Sequence, residues 1–207
     1  MTASASSLSD GAGRAILCLG ASTGGIGVLD RILPALPADC PPTLVVQHII
    51  GRFTEGLVRR LDSICAARVV AAADGDALRR GTIYFAPGAE AHLLVDPVGL
   101  RCRLVEGPPQ TGHRPSVDAL FQSVARLRRP VGAALLSGMG SDGALGLLAI
   151  RKAGGYTIAQ DEPSCTVYGM PRAAVALDAV DASLPPDRIA EALLAFALQP
   201  AARRGDA

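Results

Sequence analysis

Three residue types that can act together in acyl transfer stand at separated points of this 207-residue chain, each just beyond a short apolar run. Ser22 lies in Gly20-Ala21-Ser22-Thr23-Gly24-Gly25, His48 closes Thr43-Leu44-Val45-Val46-Gln47-His48, and Asp142 lies in Ser137-Gly138-Met139-Gly140-Ser141-Asp142-Gly143. A serine hydroxyl is a weak nucleophile until a neighbouring base takes its proton. Histidine can be that base, and an aspartate can orient the imidazole and stabilise its charged form. Small residues around Ser22 allow a sharp strand-to-helix turn that exposes the hydroxyl and lets backbone N–H groups approach a developing oxyanion. Gly138, Gly140 and Gly143 would give the second loop the same freedom.

Each of these features has a plainer use. A Gly-rich strand-to-helix turn also suits a phosphate or dinucleotide cradle. A single histidine after a strand is often a structural hydrogen-bonder, and Asp-Gly is often only a turn. What favours chemistry is that all three stand where an open α/β sheet gathers its ligands, beyond the carboxyl ends of strands.

The elements that must carry them can be read from hydropathy. Residues 15–19 are apolar on both faces, as a buried parallel strand is, and Ile26, Leu29, Ile32 and Leu33 then recur at helical spacing up to Pro34. A strand at 43–46 and a helix near 53–66 follow. Between 68 and 106, short strands are split by Asp-Gly, Pro-Gly and Pro-Val-Gly turns, which predicts that some of them pair as hairpins. Ser116 is a candidate N-cap for a helix running to 126. A buried strand at 131–137, a helix near 144–153 closed by Gly154-Gly155, a strand at 156–160 and an amphipathic helix at 186–198 complete the chain. Alternating strands and helices predict a three-layer α/β/α fold: a doubly wound, mainly parallel sheet with a β-hairpin region in the middle of the chain. No internal repeat or long linker divides it. Residues 14–198 are expected to form one domain, with flexible tails at 1–13 and 199–207.

Two rival sites can be weighed on the same residues. A Rossmann nucleotide binder needs an acidic residue at the end of the second strand to grip a ribose, and Gln47-His48 stand there instead. The short-chain dehydrogenase version also needs Tyr followed four residues later by Lys. Lys152 is the only Lys, and Leu148 stands four before it. The α/β-hydrolase fold shares the Gly20-x-Ser22-x-Gly24 elbow, but its histidine comes last in the chain. Here the histidines are His48, His92 and His113, with none after Asp142. The order Ser, His, Asp is left standing.

Composition narrows the class further. A net charge of +1, from 20 basic and 19 acidic residues, provides no electrostatic grip on nucleic acid or an anionic membrane. Five widely spaced cysteines without a CxxC pair argue against a disulfide framework and a cysteine zinc site. No signal peptide and no apolar stretch of about 18 residues is visible. A cytoplasmic protein without membrane insertion is expected.

These segments, taken in order, resemble the catalytic domain of the chemotaxis protein-glutamate methylesterase (CheB) family. The resemblance runs from about residue 14 to 194 and adds His113-Arg114-Pro115-Ser116-Val117-Asp118 and the stretch from Ala153-Gly154-Gly155-Tyr156 to Tyr168-Gly169-Met170-Pro171. It implies hydrolysis of γ-glutamyl methyl esters on the cytoplasmic helices of chemoreceptors, with deamidation of receptor glutamines as a second activity. In that pattern Ser22 is the nucleophile, His48 the base and Asp142 the acid, while Thr23 and Met139 help hold the oxyanion and frame the site. The reaction would pass through a glutamyl-Ser22 ester, with no metal and no organic cofactor.

His113 reads more readily as ordering a loop at the site rim than as catalytic. His92 reads as structural, Tyr168 and Met170 as candidate cleft residues, and Ser137 as a mild replacement for the family's commoner Thr. Family members usually carry an N-terminal phospho-receiver domain. Only about 13 residues precede the first strand here, so none is expected in this sequence. That leaves its regulation open, along with two alternatives: a stand-alone relative acting on another methylated protein, and a non-catalytic receptor-binding module.

Overall fold

A computed structural model describes residues 15–88 and 90–199; of the expected tails at 1–13 and 199–207, all but residue 199 lies outside the described residues. The chain runs β1 (Ile16–Ala21), α1 (Gly25–Ile32), β2 (Thr43–Gln47), α2 (Thr54–Ile64), β3 (Arg68–Ala71), β4 (Thr82–Phe85), β5 (His92–Asp96) and β6 (Arg101–Val105). It continues as α3 (Val117–Ala125), β7 (Val131–Leu135), α4 (Ala144–Lys152), β8 (Tyr156–Gln160), α5 (Met170–Ala176), β9 (Ala182–Leu184) and α6 (Pro186–Leu198).

Seven strands form one sheet in the order β3-β4-β2-β1-β7-β8-β9, and every neighbouring pair is parallel. Successive side chains of a strand point to opposite faces, and β1 divides accordingly. Leu17, Leu19 and Ala21 join the core under α1, α2 and α6, while Ile16 and Cys18 join the core under α3, α4, α5 and the hairpin. Covering on both faces is why β1 reads as a continuous apolar run rather than an alternating one.

The hairpin expectation holds for β5 and β6, which pair antiparallel from His92↔Val105 to Asp96↔Arg101. The other two strand runs of that region instead enter the main sheet as β3 and β4, parallel to each other and to β2. Turn-rich spacing favours local pairing, but the apolar β4, with Ile83, Tyr84 and Phe85 all buried, gains more from a place between β3 and β2 in the main sheet. The short β9 and α5 have no counterpart in the pattern reading. Ser116 does cap α3, its side chain accepting the Ala119 N–H at 3.2 Å.

From β1 the chain passes through α1 and β2 toward one edge, and the later strands β7, β8 and β9 fill in toward the other. The order therefore reverses at β1, and a crevice opens there beyond the carboxyl ends of β2, β1 and β7. Those are the three strands that lead into His48, Ser22 and Asp142.

Leu19 is fully buried in β1 and Leu198 is 69% exposed at the end of α6. Leu19→Ala should lower the unfolding free energy by about 2–5 kcal/mol, seen as a lower urea midpoint at constant slope. Leu198→Ala should change it by less than about 0.5 kcal/mol.

Candidate active site

Ser22 leaves β1 in a tight turn into α1. Its N–H donates to Ser137 O at 3.0 Å, and its carbonyl accepts the Gly25 N–H at 2.9 Å. The turn is narrow because Gly138 packs directly against it: a Cβ on Gly138 would stand 2.7 Å from Ser22 Cβ and 2.2 Å from Met170 Sδ. Ser22 stays half-buried and Thr23 exposed. Met170, read as a cleft residue, is fully buried beneath this contact.

Gln47 ties the first two strand ends together. It is nearly buried, and its Nε2 donates to both Ser22 O and His48 O, each at 2.9 Å. The His48 N–H in turn donates to Ala21 O at 2.9 Å, which extends the β1–β2 ladder by one residue beyond the strands. The backbones carrying Ser22 and His48 are thus held as neighbours. On the other side, Ser137 Oγ donates to Thr23 O at 2.8 Å and accepts the Val167 N–H at 3.0 Å, while Ser137 N–H donates to Gln160 Oε1 at 2.8 Å. A residue read as a mild substitution is a crosspiece between the Ser22–Thr23 loop and the loop after β8.

His48 and Asp142 meet directly, with Nε2 2.9 Å from Oδ2. Asp142 is completely buried and carries three more donors: Ser116 Oγ at 2.8 Å, Val117 N–H at 2.7 Å and Asp118 N–H at 3.0 Å. The carboxylate sits on the first turn of α3, where unpaired N–H groups and the helix dipole favour a negative charge. With Asp142 ionised, the proton of a neutral His48 is on Nε2 and the lone pair is on Nδ1. That Nδ1 is buried and has no hydrogen-bond partner. Among the described residues no hydrogen bond joins it to Ser22 Oγ.

His113 lies flat on His48, with ring centroids 3.9 Å apart and planes 9° from parallel. Burial and then the neighbouring His48 lower the His113 pKa from its ordinary value, against a smaller raising effect of Asp142, which favours the uncharged form of the ring that covers His48. The loop that carries it is held by Arg114 Nη1 donating to Gly107 O at 2.6 Å. His92 is buried, accepts the Ser116 N–H on Nδ1 at 3.2 Å and approaches Pro108 O with Nε2 at 3.1 Å. It orders the start of α3, one residue removed from Asp142. Met139 is 72% exposed on the loop after β7, and Ile50 and Phe53 are exposed just beyond His48. Among the described residues no group of three or more His, Cys, Asp or Glu side chains could hold a metal ion.

Sequence reading gave Gln47, Asp118 and Gln160 no supporting role, and read Ser116 as a helix cap without its contact to Asp142. The signal available for Gln47 was a polar residue at the end of an otherwise apolar strand. For Ser116 and Asp118 it was a helix-start pattern, which says nothing about which chain segment the helix start faces.

Burial on its own would raise the Asp142 carboxyl. The hydrogen bonds from His48, Asp118, Val117 and Ser116 outweigh it and hold the pKa below the ordinary carboxylate value. The stability this contributes is complete above the unfolded value of about 3.9 and is lost as pH falls through it toward the lower folded value. Asp118 has the opposite sign, because burial and the nearby Asp142 charge raise it. In urea titrations between about pH 3 and pH 6, wild type should therefore lose stability on acidification more steeply than Asp142→Asn. Equal slopes would mean that Asp142 is not held ionised.

Comparison with known proteins agrees with this architecture. A family model described as CheB methylesterase matches residues 17–193. A protein-glutamate methylesterase/protein-glutamine glutaminase of Agrobacterium fabrum is 49% identical over 186 residues, covering 88% of this chain and 53% of that protein. A second such protein, from Cereibacter sphaeroides, is 52% identical over 177 residues, covering 84% of this chain and 48% of its own length. The chain thus spans about half the length of these curated relatives. The crystal structure of the Thermotoga maritima CheB methylesterase catalytic domain is similar with a TM-score of 0.83 and 35% identity, over 89% of this chain and 98% of that one. A seven-stranded parallel sheet with this site at its switch point, and matches of this extent, lead to one conclusion: the chain belongs to the CheB methylesterase family.

Proposed function

We propose that residues 14–198 form a catalytic domain that hydrolyses γ-glutamyl methyl esters on the cytoplasmic helices of chemoreceptors, and deamidates glutamines there, with Ser22, His48 and Asp142 as its catalytic triad. The observation that carries this reading is the buried, unpartnered Nδ1 of His48 beside the end of β1, on a ring whose Nε2 is tied to Asp142. A base needs a free lone pair facing the nucleophile, and the ring has one free nitrogen.

Ser22 Oγ attacks the ester carbonyl as its proton passes to His48 Nδ1. Asp142 accepts the hydrogen bond from Nε2–H and stabilises the imidazolium. The negative charge that develops on the carbonyl oxygen is taken up by backbone N–H groups of Thr23 and Met139, neither of which has a hydrogen-bond partner among the described residues. Collapse expels methanol, which takes its proton from Nδ1 and leaves a glutamyl-Ser22 ester. A water molecule then gives its proton to Nδ1, attacks the acyl carbon and releases glutamate, and the proton returns to Ser22. With glutamine the leaving group is ammonia.

Support for a protein substrate comes from the rim. Met139, Ile50 and Phe53 are large, apolar and exposed, at 72%, 62% and 50%, and all follow the strand ends that form the crevice. Large apolar side chains exposed on the loops that follow these strand ends suit contact with an amphipathic helix. The names of the relatives join methylesterase and glutaminase activities, which supports both leaving groups.

Methanol release from methyl-esterified receptor should fall by roughly a thousandfold or more in Ser22→Ala and in His48→Ala. A serine-directed phosphonate should label Ser22 in wild type and leave His48→Ala unlabelled. A wild type no faster than Ser22→Ala would sink the esterase reading and leave a receptor-binding module.

A further inference from the structure

Asp118 lies in the first turn of α3, is nearly buried, and is not used by the reaction above. Its carboxylate faces the start of the next helix: Oδ1 accepts the Gly146 N–H, in the first turn of α4, at 2.6 Å. Gly143, the N-cap of α4, has no side chain to do this. The start of α3 is served the other way round. Its Val117 and Asp118 N–H groups both donate to Asp142, which stands two residues before α4. Beyond the Ser116 cap on Ala119, each helix therefore has first-turn N–H groups satisfied by a carboxylate from beside or within the other. The helices can approach closely enough because of Gly146, where a Cβ would stand 3.1 Å from both the Asp118 Cα and its carbonyl oxygen. Asp118 has a second contact: its Oδ2 accepts from Thr111 Oγ1 at 3.2 Å. Thr111 begins the tight turn to His113, the ring stacked on His48.

We propose that Asp118 is a positioning residue for the site, which fixes the Asp142 carboxylate against His48 through this exchange of helix caps and holds the His113 ring over His48 through Thr111. Its importance for turnover rests on the triad reading above. A carboxylate that only capped its own helix would bond N–H groups of α3, whereas this one bonds α4 and the rim loop. Losing it frees the start of α4, and with it the residue that orients the base.

The test uses the full chain and two readouts, one of them independent of activity. Proton NMR follows the exchange with water of the His48 Nε2–H, which is shielded between the ring and Asp142, and methanol release gives kcat and KM. In Asp118→Ala the proton should exchange about tenfold faster or more, and kcat should fall by a similar factor with KM within about twofold. Asp118→Asn, whose Oδ1 still accepts the Gly146 N–H, should keep both within about threefold of wild type. Unchanged proton exchange in Asp118→Ala overturns the proposal whatever its activity, and so does an asparagine variant as impaired as alanine. If Asp118→Ala does not fold, Thr111→Ala at its exposed position decides: the ring-current shift that stacked His113 imposes on the His48 ring protons should disappear, and its persistence overturns the proposal. A wild type that releases no methanol defeats the triad reading alone, and the proton measurement still judges Asp118.

Discussion

The constraint on which the rest depends is the fully buried carboxylate of Asp142. An ion removed from water costs several kcal/mol unless it is paired and hydrogen-bonded. Four donors surround this one: His48, the Ser116 hydroxyl and two N–H groups at the start of α3. Together they outweigh burial and hold the carboxyl below its ordinary pKa. Any shift of α3, of the loop after β7 or of His48 would leave that charge short of partners. The groups around it are therefore held to one arrangement, which a reaction requiring fixed distances can use.

The sheet makes that arrangement reachable. Because strand order reverses at β1, the ends of β2, β1 and β7 lie side by side and the loops beyond them converge. Gln47 and Ser137 then bind those loops to one another from either side of Ser22. The imidazole is tied through Nε2 rather than Nδ1, the reverse of the arrangement in the serine protease template. That leaves Nδ1 as the ring nitrogen without a hydrogen-bond partner among the described residues.

Much of this was legible in the residues. The apolar runs of β1 and β7 were pure enough to read as buried strands, β2 and β8 were read as strands, and Ser116 carried a cap pattern that the structure bears out. Segments 68–71 and 82–85 were harder, because the same short apolar runs suit a hairpin or a parallel sheet. Sheet membership was decided by burial against α2 and β2. The three-residue β9 has no distinctive pattern and exists because β8 offers an open edge.

The sequence by itself determined which chemical groups are available and in what chain order, since side-chain type and local periodicity are properties of short segments. From these came the α/β/α class, the Ser, His, Asp order and the family. Only the tertiary structure decided which nitrogen of His48 meets Asp142, that His113 stacks on that ring, and that Asp118 and Asp142 exchange helix caps. Those contacts join residues up to 94 positions apart. Their geometry follows from how whole helices and strands pack, and no local pattern encodes it.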